Sequence, residues 1–153
     1  MILANFFLKG ILEKSKKHPE YGELINAWFQ HWDEMLGGPI EESVKVLSEL
    51  KEKGVFLYIL SNWSAETYPI AEERFDFLSW FDGKIISGEE GIVKPDLAIY
   101  KLLIKRYDLN PHQTVFIDDK EENIKSAQLL GIHGIHFQNC SKLRKDLQVL
   151  KLL

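Results

Sequence analysis

Two short apolar runs, each ending abruptly in polar or acidic residues, constrain the fold of this chain more than any other feature. The run at 55–60 stops at Ser61–Asn62, and the run at 114–117 stops at Asp118–Asp119. Short β-branched segments that are hydrophobic on both faces are typical of buried parallel strands. In open α/β sheets the functional groups gather just beyond the carboxyl ends of such strands. The sequence therefore predicts that these polar residues converge on one crevice.

Helical and strand-like segments alternate from Pro39 onward, which predicts an α/β fold. The expected architecture has three layers, with a mostly parallel sheet between helices and right-handed crossovers. The Gly37–Gly38–Pro39 stretch separates it from a Trp-rich helical part, so we expect a partial helical cap over 1–38 and an α/β core over 39–153. Four strands are predicted: Val55–Leu60, Lys84–Ser87, Thr114–Ile117 and Gly134–Phe137.

Composition narrows the class of protein. The 153 residues suit one ordinary domain, and a net charge of −4 argues against nucleic acid as the main partner. The single cysteine, Cys140, excludes a disulfide within the chain, so a reducing cytoplasm is the expected compartment. No apolar run is long enough for a transmembrane span, so we expect no membrane association.

The Asp118–Asp119 pair suggests a divalent cation site. Two adjacent carboxylates at a strand end are costly to hold together without a cation. Mg²⁺ is usually held by one or two carboxylates plus phosphate and water. Asn123, about one helical turn beyond, could steady the loop or reach a metal-bound water. The alternative is a structural role in which Asp119 caps the following helix.

Two further segments offer groups for an anion. Ser61–Asn62 could cradle an anionic oxygen near the next helix N-terminus, or simply form a turn. Lys94 precedes Pro95 in a loop, where its ammonium could neutralise a phosphate; the alternative is a solvated surface lysine.

Taken together and in this order, Ser61–Asn62, Lys94 before Pro95, and Asp118–Asp119 resemble the second, third and fourth motifs of the haloacid dehalogenase (HAD) superfamily. The resemblance covers about Ile40 to Phe137 and looks most like the phosphatase-type members. It implies that Ser61 and Asn62 bind the transferring phosphoryl group and that Lys94 neutralises its charge. Metal-free dehalogenase members are similar but lack the pair of aspartates, so the pair favours Mg²⁺ and a small phosphorylated substrate.

The resemblance further implies that Asp119 holds Mg²⁺ with help from Asp118, and that Trp28 and Trp32 belong to a substrate-selecting cap. The family's first motif, a strand ending Asp-x-Asp or Asp-x-Gly whose first aspartate attacks phosphorus, has no match in the sequence. Either the chain starts inside the cap, or the segment 6–12 is a decayed first motif with Phe7 in the place of the nucleophile. In both cases we expect little or no turnover and weakened Mg²⁺ binding, because no carboxylate can form the covalent intermediate.

The missing first strand also predicts a structural gap. It would lie between the strands at 55–60 and 114–117, leaving apolar surface and backbone hydrogen-bonding groups open in mid-sheet. Three ways to close the gap stay open at this point: direct pairing of the two strands, insertion of Met1–Leu8, or contact with a second copy through an exposed sheet edge.

Overall fold

The computed structural model of the chain describes residues 17–24, 27 and 31–153. Within that part, the helices and strands whose bounds are described are, in chain order, α1 (Trp32–Met35), α2 (Glu41–Glu52), β1 (Tyr58–Ser61), α3 (Tyr68–Arg74), β2 (Gly83–Ile86), α4 (Ser87–Glu90), α5 (Leu97–Arg106), β3 (Val115–Asp118), α6 (Glu121–Leu129), β4 (His133–His136) and α7 (Cys140–Val149). Short 3₁₀ turns cover Pro19–Tyr21, Asp76–Trp80 and Pro111–Gln113. The predicted cap at 1–38 lies largely outside the described residues, so its boundary stays a prediction.

All four described strands pair in parallel, which confirms the predicted α/β class. β1 pairs with β2 and β3 pairs with β4, as two separate two-stranded sheets. No ladder joins β1 to β3 among the described residues, so direct pairing of these strands does not close the gap. Insertion of Met1–Leu8 concerns residues outside the described part.

The strands differ from their predicted bounds by a few residues. The first ladder starts at Tyr58 rather than Val55, because the amide of Leu57 donates to the Asp82 carboxylate instead of to a backbone carbonyl (N–O 2.8 Å). β3 extends to Asp118, which pairs with His136 in the register of β4. Apolar pattern alone does not mark these ends, because tertiary partners decide them.

Two hydrophobic clusters on opposite faces of the strands make the three layers. Helices α5 and α6 cover one face, and α2 and α7 cover the other. Neighbouring strand residues alternate between the two: Phe116 packs against the first cluster and Val115 against the second. The first cluster contains Leu60, Ile85, Ile99, Tyr100, Leu103, Ala127 and Ile132, and the second contains Val46, Leu50, Leu57, Ile135, Leu143 and Leu147.

A large cleft lies where β1 and β3 face each other. Its volume is about 660 Å³, far more than the water-sized voids of a packed interior. Both hydrophobic clusters contribute to its walls, Leu50 and Leu147 from one and Leu103 and Ile132 from the other. Among the described residues, no strand lies between β1 and β3 in this cleft.

Among the described helices, none combines the length and the apolar character needed to cross a membrane.

The loop after β1 is held against the start of α4 by a close backbone approach at Gly88. The Gly88 amide donates to the Trp63 carbonyl (2.9 Å). A Cβ at this position would lie 2.4 Å from the Ala65 nitrogen and 2.8 Å from the Trp63 oxygen. The loop that begins with Asn62 thus depends on the absence of a side chain at residue 88.

We predict that Gly88→Ala destabilises the protein by about 1–3 kcal/mol, the usual cost of forcing extra volume into a packed site. The midpoint of urea unfolding measures this. Gly38→Ala is the matched control, because a Cβ there meets no atom within 4 Å. Equal midpoints for the two variants would contradict the packing role of Gly88.

Candidate active site

The ammonium of Lys94 joins the carboxyl ends of β1 and β3. Its Nζ donates to the Leu60 carbonyl (2.7 Å) and to Asp118 Oδ2 (2.7 Å). The side chains of Lys94 and Asp118 are only 10% and 7% exposed. The alternative of a solvated surface lysine is therefore wrong, and two strands that share no ladder meet at one cation.

The Asp118 carboxylate is fully surrounded by donors. Oδ2 accepts from Lys94, while Oδ1 accepts from the Lys120 amide (2.8 Å) and from Asn123 Nδ2 (2.9 Å). Burial raises the pKa of Asp118, but these hydrogen bonds outweigh it and hold the pKa below its ordinary value. Asp118 is thus an ionised, preorganised acceptor.

Asn62 clamps the backbone of Lys94 with both ends of its carboxamide. Its Nδ2 donates to the Lys94 carbonyl (2.9 Å), and its Oδ1 accepts from the Lys94 amide (2.8 Å). These two hydrogen bonds fix the backbone position from which the Lys94 side chain extends. The phosphate-binding role of Asn62 stays a prediction, and in this structure its polar atoms serve the loop.

Asn123 supports Asp118 from the first turn of α6. The residue is buried, and its backbone carbonyl accepts from the Tyr100 hydroxyl (3.0 Å). Burial and the nearby charges of Asp118 and Glu122 raise the pKa of Tyr100, so the hydroxyl keeps its proton and continues to donate. The Asn123 Oδ1 is buried without a partner among the described residues.

Two polar side chains lie at the carboxyl ends of β1 and β3, which we call the rim, and make no hydrogen bond to the rest of the described chain. Ser61 ends β1, and its hydroxyl makes no hydrogen bond within the described residues. Asp119 is exposed; its carbonyl lies 2.9 Å from His136 Nε2, but its carboxylate has no partner there. The helix cap alternative for Asp119 is wrong, since Lys120 is the N-cap residue of α6.

The predicted site residues therefore fall into two groups. Direct contacts join Asn62, Lys94, Asp118 and Asn123 into one network, while Ser61 and Asp119 adjoin it along the chain with free side chains. Sequence reasoning missed the Leu60 carbonyl and His136. The first is a backbone atom without a sequence signal, and the second could be found only by knowing that β4 lies beside β3.

Aromatic rings line the chain just after the network. Trp63 follows Asn62, and its ring meets Trp32 of α1 (centroids 5.8 Å) and Tyr68 of α3 (5.6 Å), edge to face in both pairs. Trp32 thus packs against the residue that follows Asn62, and its place in a substrate-selecting cap stays a prediction. Trp28 lies outside the described residues.

The oxygen ligands that the described residues offer fit an incomplete magnesium site. Lys94 neutralises the Asp118 carboxylate, which leaves Asp119 as the free carboxylate of the rim. In the part of the chain that the structure describes, no group of three His, Cys, Asp or Glu residues is arranged to hold a metal. Mg²⁺ would therefore need additional oxygen ligands, such as a bound phosphate and water.

Comparison with known proteins identifies the class to which this fold and rim belong. The haloacid dehalogenase-like hydrolase family matches residues 7–131. The chain therefore belongs to the HAD-like hydrolases, which confirms the resemblance drawn from its motifs.

Particular relatives are phosphatases. The chain is 35% identical over 111 residues to the sesquiterpene phosphatase astK of Aspergillus oryzae, covering 70% of this chain and 57% of that protein. It is 32% identical over 95 residues to the glyceraldehyde 3-phosphate phosphatase of Methanocaldococcus jannaschii, covering 61% of this chain and 42% of that protein. The chain thus spans roughly half the length of these curated relatives.

A solved structure shares the fold. It is a HAD family enzyme from Bacteroides thetaiotaomicron, in an aspartate-to-alanine variant complexed with magnesium and inorganic phosphate. The identity is 28% and the TM-score 0.64, covering 73% of this chain and 62% of that chain.

We predict that Asp118→Asn lowers the free energy of unfolding by about 3 kcal/mol, because it leaves the buried Lys94 ammonium without a counter-charge. Asp146→Asn makes the same change in a pair with Lys142 that is 43% and 33% exposed. Exposed pairs contribute at most about 1 kcal/mol. Urea unfolding at neutral pH compares them, and similar losses in both variants would contradict the role of Asp118.

The lowered pKa of Asp118 also predicts that the stability lost in Asp118→Asn depends on pH. An aspartate whose pKa is lowered on folding stabilises the protein above its unfolded pKa, about 3.9. That contribution disappears as the pH falls below about 4 and passes through the lowered pKa of the folded state. The stability difference between the original chain and Asp118→Asn should therefore shrink between pH 6 and pH 2.5. A constant difference across this range would show that the charge of Asp118 is not what stabilises the fold.

Proposed function

We propose that this chain is a phosphatase-type HAD domain that retains the phosphoryl- and metal-binding rim but has little or no turnover by itself. The observation that carries the proposal is the buried Lys94–Asp118 pair joining the ends of β1 and β3, with Ser61 and Asp119 free beside it. The phosphatase names of two relatives, and the magnesium and phosphate complex of the structural neighbour, support the ligand class.

Each residue has a proposed role that follows from its contacts. Ser61, whose hydroxyl is free, donates to a phosphate oxygen. Asn62 holds the Lys94 loop, and its amide end can reach the same anion only by giving up a bond to that loop. Lys94 supplies positive charge at the base of the site, which Asp118 and Asn123 keep in place.

Asp119 would hold Mg²⁺, and Asp118 would help as a ligand only by giving up one of its hydrogen bonds to Lys94, the Lys120 amide or Asn123. The bound metal would supply Lewis-acid charge to the phosphate oxygens. The charges of the described rim explain why metal and phosphate should bind together. Lys94 and Asp118 cancel, so the free Asp119 carboxylate leaves one negative charge that repels a phosphate anion.

The proposed lack of turnover rests on the sequence given, in which no segment reads Asp-x-Asp or Asp-x-Gly. Without that carboxylate no covalent phosphoryl intermediate can form by the family's route. Dehalogenation is the alternative reaction that the family resemblance suggests, and the Asp118–Asp119 pair disfavours it. A small phosphorylated ligand, rather than nucleic acid or membrane, suits an acidic chain with a compact rim, and a cytoplasmic location stays a prediction from the single cysteine.

Coupled binding of metal and phosphate tests the site. We predict that calorimetry detects inorganic phosphate binding with Mg²⁺ present and at least tenfold weaker binding without it, about 1.4 kcal/mol. Asp119→Asn removes the repelling charge and should abolish this Mg²⁺ dependence, while Asp146→Asn should keep it. Phosphate binding that ignores Mg²⁺ in the original chain would contradict the proposed roles.

Turnover is tested separately with p-nitrophenyl phosphate and Mg²⁺. We expect no hydrolysis above background. Robust hydrolysis that Asp119→Ala abolishes would contradict the proposed inactivity. A non-catalytic binding module is the second candidate function, and phosphate binding without hydrolysis is its expected signature.

A further inference from the structure

Hydrogen bonds from the end of β4 hold the backbone on both sides of Asp119. β3 and β4 are in register at Asp118 and His136, and the Phe137 amide donates to the Asp118 carbonyl (2.9 Å). The next carbonyl along the chain, that of Asp119, lies 2.9 Å from His136 Nε2. His136 and Phe137 therefore hold the two carbonyls that flank the Cα atom of Asp119.

The contact between His136 and Asp119 has only one possible direction. A carbonyl oxygen accepts and cannot donate, so Nε2 carries the proton and donates it to this bond. His136 is half-buried at the end of a strand, whereas Asp119 is exposed in the turn that leads to α6. A side chain rooted in the sheet thus holds a peptide group of an exposed turn.

The peptide group between Asp119 and Lys120 is held from both of its edges. Its carbonyl accepts from His136, and its amide donates to Asp118 Oδ1 (2.8 Å). In a planar trans peptide the C=O and N–H bonds point in opposite directions, so the two hydrogen bonds together fix the orientation of the plane. With only one of them the plane could still turn about the remaining bond.

Fixing these peptide planes also fixes the direction in which the Asp119 side chain leaves the backbone. Each residue has only two soft backbone dihedrals, and the peptide planes before and after it determine both. In the part of the chain that the structure describes, no hydrogen bond of the Asp119 carboxylate itself contributes to this placement. The backbone contacts are therefore what positions the carboxylate.

His136 affects Asp119 without orienting the neighbouring carboxylate. The oxygens of Asp118 accept from Lys94, from the Lys120 amide and from Asn123. All three of these donors remain when the His136 side chain is changed. A substitution at His136 should therefore act on Asp119 and leave the buried ion pair in place.

We infer that His136 is a positioning residue for the proposed metal ligand Asp119: its Nε2–H holds the peptide after Asp119, so that the carboxylate keeps one direction at the rim. The inference rests on the proposed role of Asp119 in holding Mg²⁺. It adds a residue to which none of the sequence motifs gives a role. A ligand that is already oriented loses less freedom when the metal arrives, so the bond from His136 should strengthen metal binding.

Two substitutions separate the position of the donor from the rest of the side chain. In His136→Gln the amide nitrogen lies as many bonds from Cα as Nε2 does, so it can still donate to the Asp119 carbonyl. In His136→Asn the amide nitrogen lies one bond closer to Cα, at the position of Nδ1, and falls short of that carbonyl. His133→Asn, at the exposed first residue of the same strand, is the matched control.

Calorimetry of the whole chain with inorganic phosphate, with and without Mg²⁺, measures the effect. We expect His136→Asn to weaken phosphate binding in Mg²⁺ about tenfold, the lower end of what losing an outer hydrogen bond of a metal ligand costs. Binding without Mg²⁺ should stay the same. His136→Gln and His133→Asn should keep the affinity of the original chain in both conditions.

A double-mutant cycle distinguishes positioning from a general effect on the fold. If His136 acts through Asp119, His136→Asn should have no further effect on phosphate binding in a chain that already carries Asp119→Asn. Melting temperatures of the two His136 variants show whether they are equally stable. Equal losses of affinity with and without Mg²⁺, or equal losses in both backgrounds, would overturn the inference and leave His136 a purely structural role.

Failure of this inference differs from failure of the proposed function. If the original chain binds phosphate with the help of Mg²⁺ and His136→Asn does so equally well, the inference is wrong and the proposed site stands. If the original chain shows no help from Mg²⁺, the proposed role of Asp119 is wrong and the role of His136 falls with it.

Discussion

The pairing of one buried ammonium with one buried carboxylate governs the structure around the rim. Lys94 and Asp118 come from different parts of the chain, and their ion pair links the ends of β1 and β3, which share no ladder among the described residues. A buried ion pair contributes little net stability once desolvation is counted, yet losing either partner is costly. Its main effect is therefore specific placement, because it keeps the ends of β1 and β3 within reach of each other.

The surrounding hydrogen bonds make sense as support for that pair. Asn62 fixes the backbone from which Lys94 extends, while Asn123 and the Lys120 amide orient Asp118. Such preorganised charge is what an anion-binding site requires, since no reorganisation is needed when the ligand arrives. Ser61 and Asp119 are left free at the same rim, and this division between supporting and available groups underlies the proposed function.

In the described structure, the open cleft and the shortage of metal ligands lie at the same place. Among the described residues, no strand lies in the cleft between β1 and β3, and the rim at its end has one free carboxylate, too few for a complete magnesium site. The two described pairs of strands share both hydrophobic clusters: Leu60 and Ile85 lie in the first, against which Phe116 packs, and Leu57 lies in the second together with Ile135.

Much of the fold and of the candidate site could be predicted from the local sequence. The apolar runs that end in Ser61–Asn62 and Asp118–Asp119 indicated buried parallel strands, and their alternation with helical segments indicated the α/β class. The same motifs determined the family and which residues meet. Local pattern could not show that Asn62 binds the loop rather than facing solvent, since a carboxamide suits both. Nor could it show that Lys94 is buried, that His136 reaches Asp119, or that β1 and β3 remain apart. Those outcomes depend on contacts between segments far apart in the chain, and only the tertiary structure decides them.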